Sequence, residues 1–128
     1  MKKLIIIAVL AAICLMFFIG SSEPELVVDN SYKHRGTYSG NMNLNTYTFE
    51  IKNDCRRTDI ESLDYFRILF YDSDSNLVYT WRAGSSDLKE LALSSGDSAL
   101  FQINISEKTL SYYEDWSYEI EYYLYYYE

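Results

Sequence analysis

The run Tyr65-Phe-Arg-Ile-Leu-Phe-Tyr-Asp-Ser-Asp-Ser-Asn-Leu-Val-Tyr-Thr-Trp81 leaves this chain few ways to fold. Phe66, Ile68 and Phe70 share one face of an extended arm, and Tyr65, Arg67, Leu69 and Tyr71 share the other. A two-residue period rich in aromatic and branched side chains marks a strand, not a helix. Asp72-Ser-Asp-Ser-Asn76 supplies five turn-forming residues before Leu77 to Trp81 returns. That loop length suits a hairpin built on a type I turn, with Asn76 expected to take positive φ. The same alternation recurs. Tyr47, Phe49 and Ile51 alternate with Thr48, Glu50 and Lys52, and Phe101, Ile103 and Ile105 alternate with Gln102 and Asn104. In the last segment Trp116, Tyr118, Ile120, Tyr122, Leu124 and Tyr126 form an uncharged face, opposite Ser117, Glu119, Glu121, Tyr123, Tyr125 and Tyr127. Short strands about ten residues apart, punctuated by turns, predict an all-β fold: an immunoglobulin-like antiparallel β-sandwich of about seven strands.

The N-terminus follows another pattern. Met1-Lys-Lys is basic, Leu4 to Ile19 carries no charge, and Gly20-Ser-Ser-Glu-Pro24 is small and polar. This is the layout of a secretory signal, with Gly20 and Ser22 suited to a cut before Glu23. A retained anchor is the alternative, since sixteen helical residues rise about 24 Å against a hydrocarbon core of about 30 Å. Residues 1–22 are therefore expected to be a hydrophobic helix, a signal peptide or a membrane anchor through residues 4–19. In both cases the lysines stay in the cytoplasm and the rest is extracytoplasmic, secreted or anchored to the cell membrane. Lipidation at Cys14 is disfavoured by Ile13 before it and by the apolar run Leu15-Met-Phe-Phe18 after it, which leave it a small hydrophobe.

Residues 23–36 read as a linker, with Leu26-Val-Val28 as an edge strand and Asn30 to Gly36 irregular, and residues 37–128 as the domain. Thr37-Tyr-Ser39 opens the first full strand, and Asn41-Met-Asn-Leu-Asn45 is a turn-rich spacer. Leu88 to Leu93 is ambiguous in type. Ser106 to Asp115 is expected to be a loop or a single helical turn. Outside the leader only Cys55 remains, so the domain depends on its core and not on an internal disulfide. An intermolecular disulfide through Cys55 is the remaining possibility. Without Lys2 and Lys3, nine basic side chains face nineteen acidic ones. So acidic a surface excludes nucleic acid as a partner.

The run Ile68-Leu-Phe-Tyr-Asp72, the turn, Leu77-Val78, and Leu93-Ser-Ser-Gly-Asp97 leading to Phe101-Gln-Ile103 resemble the FxLYD domain family. Its members are small immunoglobulin-like modules of prokaryotic exported proteins. The motif falls on Ile68 to Asp72, with isoleucine for its phenylalanine and Phe70 for its leucine. Asn76 stands for the turn glycine, and Ser95 precedes Gly96 where proline is common. The resemblance spans roughly Tyr47 to Ile105, rests on core and turn positions, and carries no catalytic motif.

The chemistry-bearing residues are sparse. His34 is the only histidine and lacks a nucleophile motif around it. Asp72, Asp74 and Asn76 imitate the opening of a calcium loop, but Leu77 replaces the required glycine and Ala83 the closing glutamate. Glu119 and Glu121 stand about 7 Å apart along a strand, within the range of an inverting carboxylate pair. Asn104-Ile-Ser106 is a glycosylation sequon. Eight of fourteen tyrosines fall between Tyr112 and Tyr127. Tyr123, Tyr125 and Tyr127 share one strand face, a platform suited to sugar rings or a partner protein. The expectation is a non-enzymatic, cofactor-free binding or structural module whose partner is a protein or glycan of the cell envelope. The alternative is a small exported calcium-dependent module or a hydrolase using acidic residues.

Overall fold

The structure is a computed structural model that describes residues 2–9, 23–38 and 42–127. Cys14 and the cleavage positions Gly20 and Ser22 lie outside the described residues. Among the described residues the strands are Lys2–Val9 (β1), Leu26–Tyr38 (β2), Met42–Asn53 (β3), Ile60–Tyr71 (β4), Leu77–Arg82 (β5), Ser98–Ser106 (β6) and Ser117–Tyr126 (β7), with one short helix, Ser85–Glu90 (α1). They form two antiparallel sheets, ordered β1-β7-β4-β5 and β2-β3-β6. The all-β expectation holds at this level.

The alternating faces fall where their periods place them. Phe66, Ile68 and Phe70 are buried, as are Tyr47, Phe49 and Ile51, and Phe101, Ile103 and Ile105. The uncharged face of β7 is buried from Tyr118 to Tyr126. Register then stacks like on like. Phe66 lies opposite Tyr122, Ile68 opposite Ile120 and Phe70 opposite Tyr118. In the second sheet Phe49 lies opposite Phe101, and Tyr47 opposite Ile103. The sheets meet through rings: Tyr47 and Phe49 reach Phe70 at 5.3 and 5.7 Å, and Trp81 reaches Phe101 at 5.5 Å. Edge-on and tilted pairs at these separations add to the area they bury.

Four expectations are corrected. A helix was expected over Leu4 to Ile19, but the part of it that is described, up to Val9, belongs to a strand, with Lys2 opposite Tyr126 and Val9 opposite Glu119, while residues 10–19 lie outside the described residues. Ile5, Ile6, Ile7 and Val9 are β-branched and fit a pleated sheet better than a helix, and β7 offers them a row of backbone partners. Among the described residues no helix is long and apolar enough to cross a membrane. Next, the segment read as linker and irregular chain is a thirteen-residue edge strand. Lys33 Nζ donates to the carbonyls of Tyr112 (2.7 Å) and Glu114 (3.2 Å), and Arg35 pairs with Glu107 at 3.0 Å. These polar residues thus tie β2 to the Ser106–Asp115 loop, and their polarity hid the strand. Likewise β3 begins at Met42, inside the stretch read as a spacer. Finally, positive φ in the hairpin falls on Ser75, not Asn76.

Thr48 alternates with the core residues Tyr47 and Phe49 and is nevertheless only 3% exposed. It is short and sits in the central strand between Tyr32 and Gln102. Tyr122 crosses from one sheet to the other. Its hydroxyl accepts from the Leu26 amide (3.1 Å) and donates to the Leu26 carbonyl (3.3 Å). One buried phenol therefore satisfies both backbone groups where β2 begins. Cys55 is 2% exposed, which keeps its thiol from a partner chain while the fold is closed.

Candidate binding face

The outer face of the β7–β4 pair collects the residues left over by the core. β4 presents Tyr65, Arg67 and Leu69 directly opposite Tyr123, Glu121 and Glu119 of β7. The register creates a continuous row of rings and charges. Tyr123 and Tyr125 stand 5.4 Å apart, and Tyr65 lies 6.5 Å from Tyr123. Arg67 sits over the Tyr65 ring at 4.7 Å, and its Nε lies 2.8 Å from Glu121 Oε1, an ion pair held off the N–H axis. Cation–π contact of this kind keeps a guanidinium flat against an aromatic surface.

The carboxylates on this face have partners. Tyr71 donates its hydroxyl to Glu119, and Tyr125 donates to Asp64 at 2.6 Å. Glu119 and Glu121, the pair considered for hydrolysis, are thus engaged separately, one by a phenol and one by a guanidinium. Of the three rings expected to form a platform, Tyr123 and Tyr125 are half-buried, while Tyr127 lies just past the strand and is 58% exposed. The platform is therefore wider than three tyrosines and shallower than three free rings. Tyr65, Arg67 and Asp64 belong to it. Their shared strand face was legible for Tyr65 and Arg67, but only the β4–β7 register sets them beside Tyr123 and Glu121.

These contacts raise the phenols. The hydrogen bond to Glu119, then burial, pushes Tyr71 up to about 12. The hydrogen bond to Asp64 does the same for Tyr125, also to about 12. Burial raises Tyr47 to about 12 and drives Tyr122 higher still. A raised phenol contributes stability that is present below the ordinary value near 10 and is lost as pH rises through the folded value. Alkaline unfolding is therefore expected between about pH 10 and 12, with the buried Tyr47 and Tyr122 ionising as the fold opens. Ultraviolet difference titration checks this, and all tyrosines ionising together near 10 with the fold intact would refute it.

The Asp72, Asp74 and Asn76 group serves the hairpin. Asp72 Oδ1 accepts from the amides of Asp74 (3.0 Å) and Asn76 (2.9 Å), and the Asp72 carbonyl accepts from Ser75 N–H at 3.0 Å. That is the turn chemistry of a short polar side chain bonding its own backbone. Among the described residues no group of three or more His, Cys, Asp or Glu could hold a metal ion. His34 is exposed on β2, where its ring lies 6.5 Å from that of Tyr32.

Comparison with protein-family models, curated proteins and solved structures finds no match to this chain.

Proposed function

We propose that this chain is an exported, non-enzymatic binding module of the cell envelope: an immunoglobulin-like sandwich of the FxLYD kind, secreted or held at the membrane by residues 1–22. Its ligand is a protein or a glycan of the envelope. The observation that carries this reading is the outer face of β4 and β7. Tyr65, Tyr123 and Tyr125 are adjacent there, flanked by Arg67 and Glu121, and none is needed to close the core. Rigid amphipathic rings with a few fixed polar groups are what a recognition surface uses.

Changing Tyr123, Tyr125 and Tyr127 together to serine tests it. The parent should be retained by at least one of a panel of envelope fractions: peptidoglycan sacculi, wall polysaccharide and envelope-protein extract. The triple variant should lose that retention. It should cost only about 1–2 kcal/mol of stability, since cross-strand ring pairs contribute about 0.2–1 kcal/mol each. Equal retention of parent and variant, or no retention of the parent by any fraction, defeats the reading. Export is checked separately, by adding protease to intact, wall-stripped cells. Digestion of residues 23–128 without lysis is expected, and complete resistance that disappears on lysis would place the chain inside.

A further inference from the structure

The sheet order makes β7 an edge strand whenever β1 is elsewhere. β1 pairs with β7 over eight consecutive residues without a register shift. Yet β1 is drawn from the segment whose sequence is that of a signal or anchor. The same residues cannot span a bilayer, or be removed, and still cover β7. Two of the three other edges carry devices that keep edges from pairing, while the third, β6, is nine residues long, regular in register and open whatever β1 does, with Gln102 and Asn104 exposed. β2 has a bulge between Val28 and Asn30 and bears Lys33 and Arg35. β5 is six residues long. β7 has none of these: ten residues, no proline, no lysine or arginine, rich in tyrosine. A long, regular, aromatic edge is a template for another strand.

We propose that the β7 edge is a strand-acceptor site, masked by residues 2–9 before export and opened when they enter the membrane or are cleaved. This rests on reading residues 1–22 as an export segment. The occupant is an extended segment of a partner protein, rich in branched apolar residues and running antiparallel to β7. β1 itself defines that chemistry: Leu4, Ile5, Ile6, Ile7 and Val9 are matched in register with Leu124, Tyr123, Tyr122, Glu121 and Glu119. Main-chain hydrogen bonds provide the affinity in such strand addition, and alternate side chains provide the choice of sequence. A second copy is the poorer fit. The full chain already has a net charge of −8, losing Lys2 and Lys3 makes it more acidic, and each β7 would bring Glu119 and Glu121 to a shared dyad.

The test uses the full chain with a site-specific protease sequence inserted after Ser22, folded first and cut afterwards. The probe is a labelled synthetic peptide with the sequence of Lys2 to Val9. While uncut, the tethered β1 competes at an effective concentration in the millimolar range, so the probe should bind about a hundredfold more weakly than after cutting. Bound probe should protect alternate β7 amides from hydrogen exchange. A peptide with Ile5→Pro and Ile6→Pro should not bind, because one of those two N–H groups faces β7 in either phase of the ladder. Equal binding to cut and uncut chain, equal binding of the proline peptide, or no binding to a cut chain that stays folded overturns the proposal. So does unfolding on release of residues 1–22, which would make β1 a permanent strand. A cut chain that dimerises through β7 and excludes the probe assigns the edge to a second copy and overturns it too. Export and edge recognition fail separately, since protease accessibility in cells reads only the first and this assay only the second.

Discussion

Phe70→Ala is expected to lower the unfolding free energy by about 3–5 kcal/mol, and Ile68→Ala by about 2–5. Both side chains are 0% exposed. The Phe70 ring is touched from the facing sheet by Tyr47 and Phe49, from its own sheet by Tyr79 at 6.0 Å, and by Trp116 at 6.0 Å. Truncation leaves a hole bounded by stiff rings, which cannot collapse into it as flexible aliphatics would. The cost therefore belongs at the upper end of the range. A domain of this size has about 5–15 kcal/mol in hand, so the Phe70 variant is expected near its unfolding threshold at room temperature. Leu69→Ala is the control, on the outer face one residue away and only half-buried, and should cost about 1 kcal/mol or less. Denaturant melts read all three. If Phe70→Ala and Ile68→Ala melt with the parent while Leu69→Ala does not, the register of β4 is shifted by one residue.

That register was legible because period two is a strong signal wherever one face is buried. Phe66, Ile68 and Phe70 could point only one way, and the same holds for Tyr118 to Tyr126. Two kinds of feature were not legible. The first is strand made from polar residues. Asn30 to Gly36 pairs with the nearby Leu44 to Glu50, but it is polar, and the partners that hold Lys33 and Arg35, namely Tyr112, Glu114 and Glu107, lie more than seventy residues away, so no apolar period announces the strand. The second is a segment with two fates. Leu4 to Val9 is apolar enough for a membrane helix and branched enough for a strand, and composition alone cannot choose between lipid and a sheet edge. The candidate face lies between these cases. Its tyrosines were visible in the sequence, but pairing with Tyr65 and Arg67 required the β4–β7 register. Asn45 and Asn53 were the least visible. Both are 0% exposed, and an asparagine in a polar stretch looks the same whether it caps a turn in water or braces a loop from inside.

Asn53 shows what such a brace is worth. Its Nδ2 donates to the carbonyls of Thr58 (3.0 Å) and Leu93 (3.1 Å), while its backbone bonds Asp97 and Gly96. One residue at the end of β3 thus fixes the chain before β4 and the turn before β6. Asn53→Ala removes one donor from each carbonyl, but Leu93 keeps the Ile60 N–H at 2.9 Å, so a loss of about 1–3 kcal/mol is expected. Asn53→Asp keeps the shape and inverts the chemistry. A carboxylate cannot donate to either carbonyl, and Asn53 Oδ1 already lacks a hydrogen-bond partner among the described residues, so the charge would be buried unsupported. Burial raises the folded pKa of that carboxyl above its unfolded value near 4. The sign then follows: the aspartate variant is penalised most above its folded pKa and recovers as pH falls through it, because the neutral acid regains one O–H donor. At pH 7 Asn53→Asp should be less stable than Asn53→Ala, and the order should narrow or reverse on acidification towards about pH 4–5. Denaturant midpoints of the two variants across that range are the measurement. If the aspartate variant matches the parent at pH 7, the amide is not donating to those carbonyls, and the two loops are held by their backbone bonds alone.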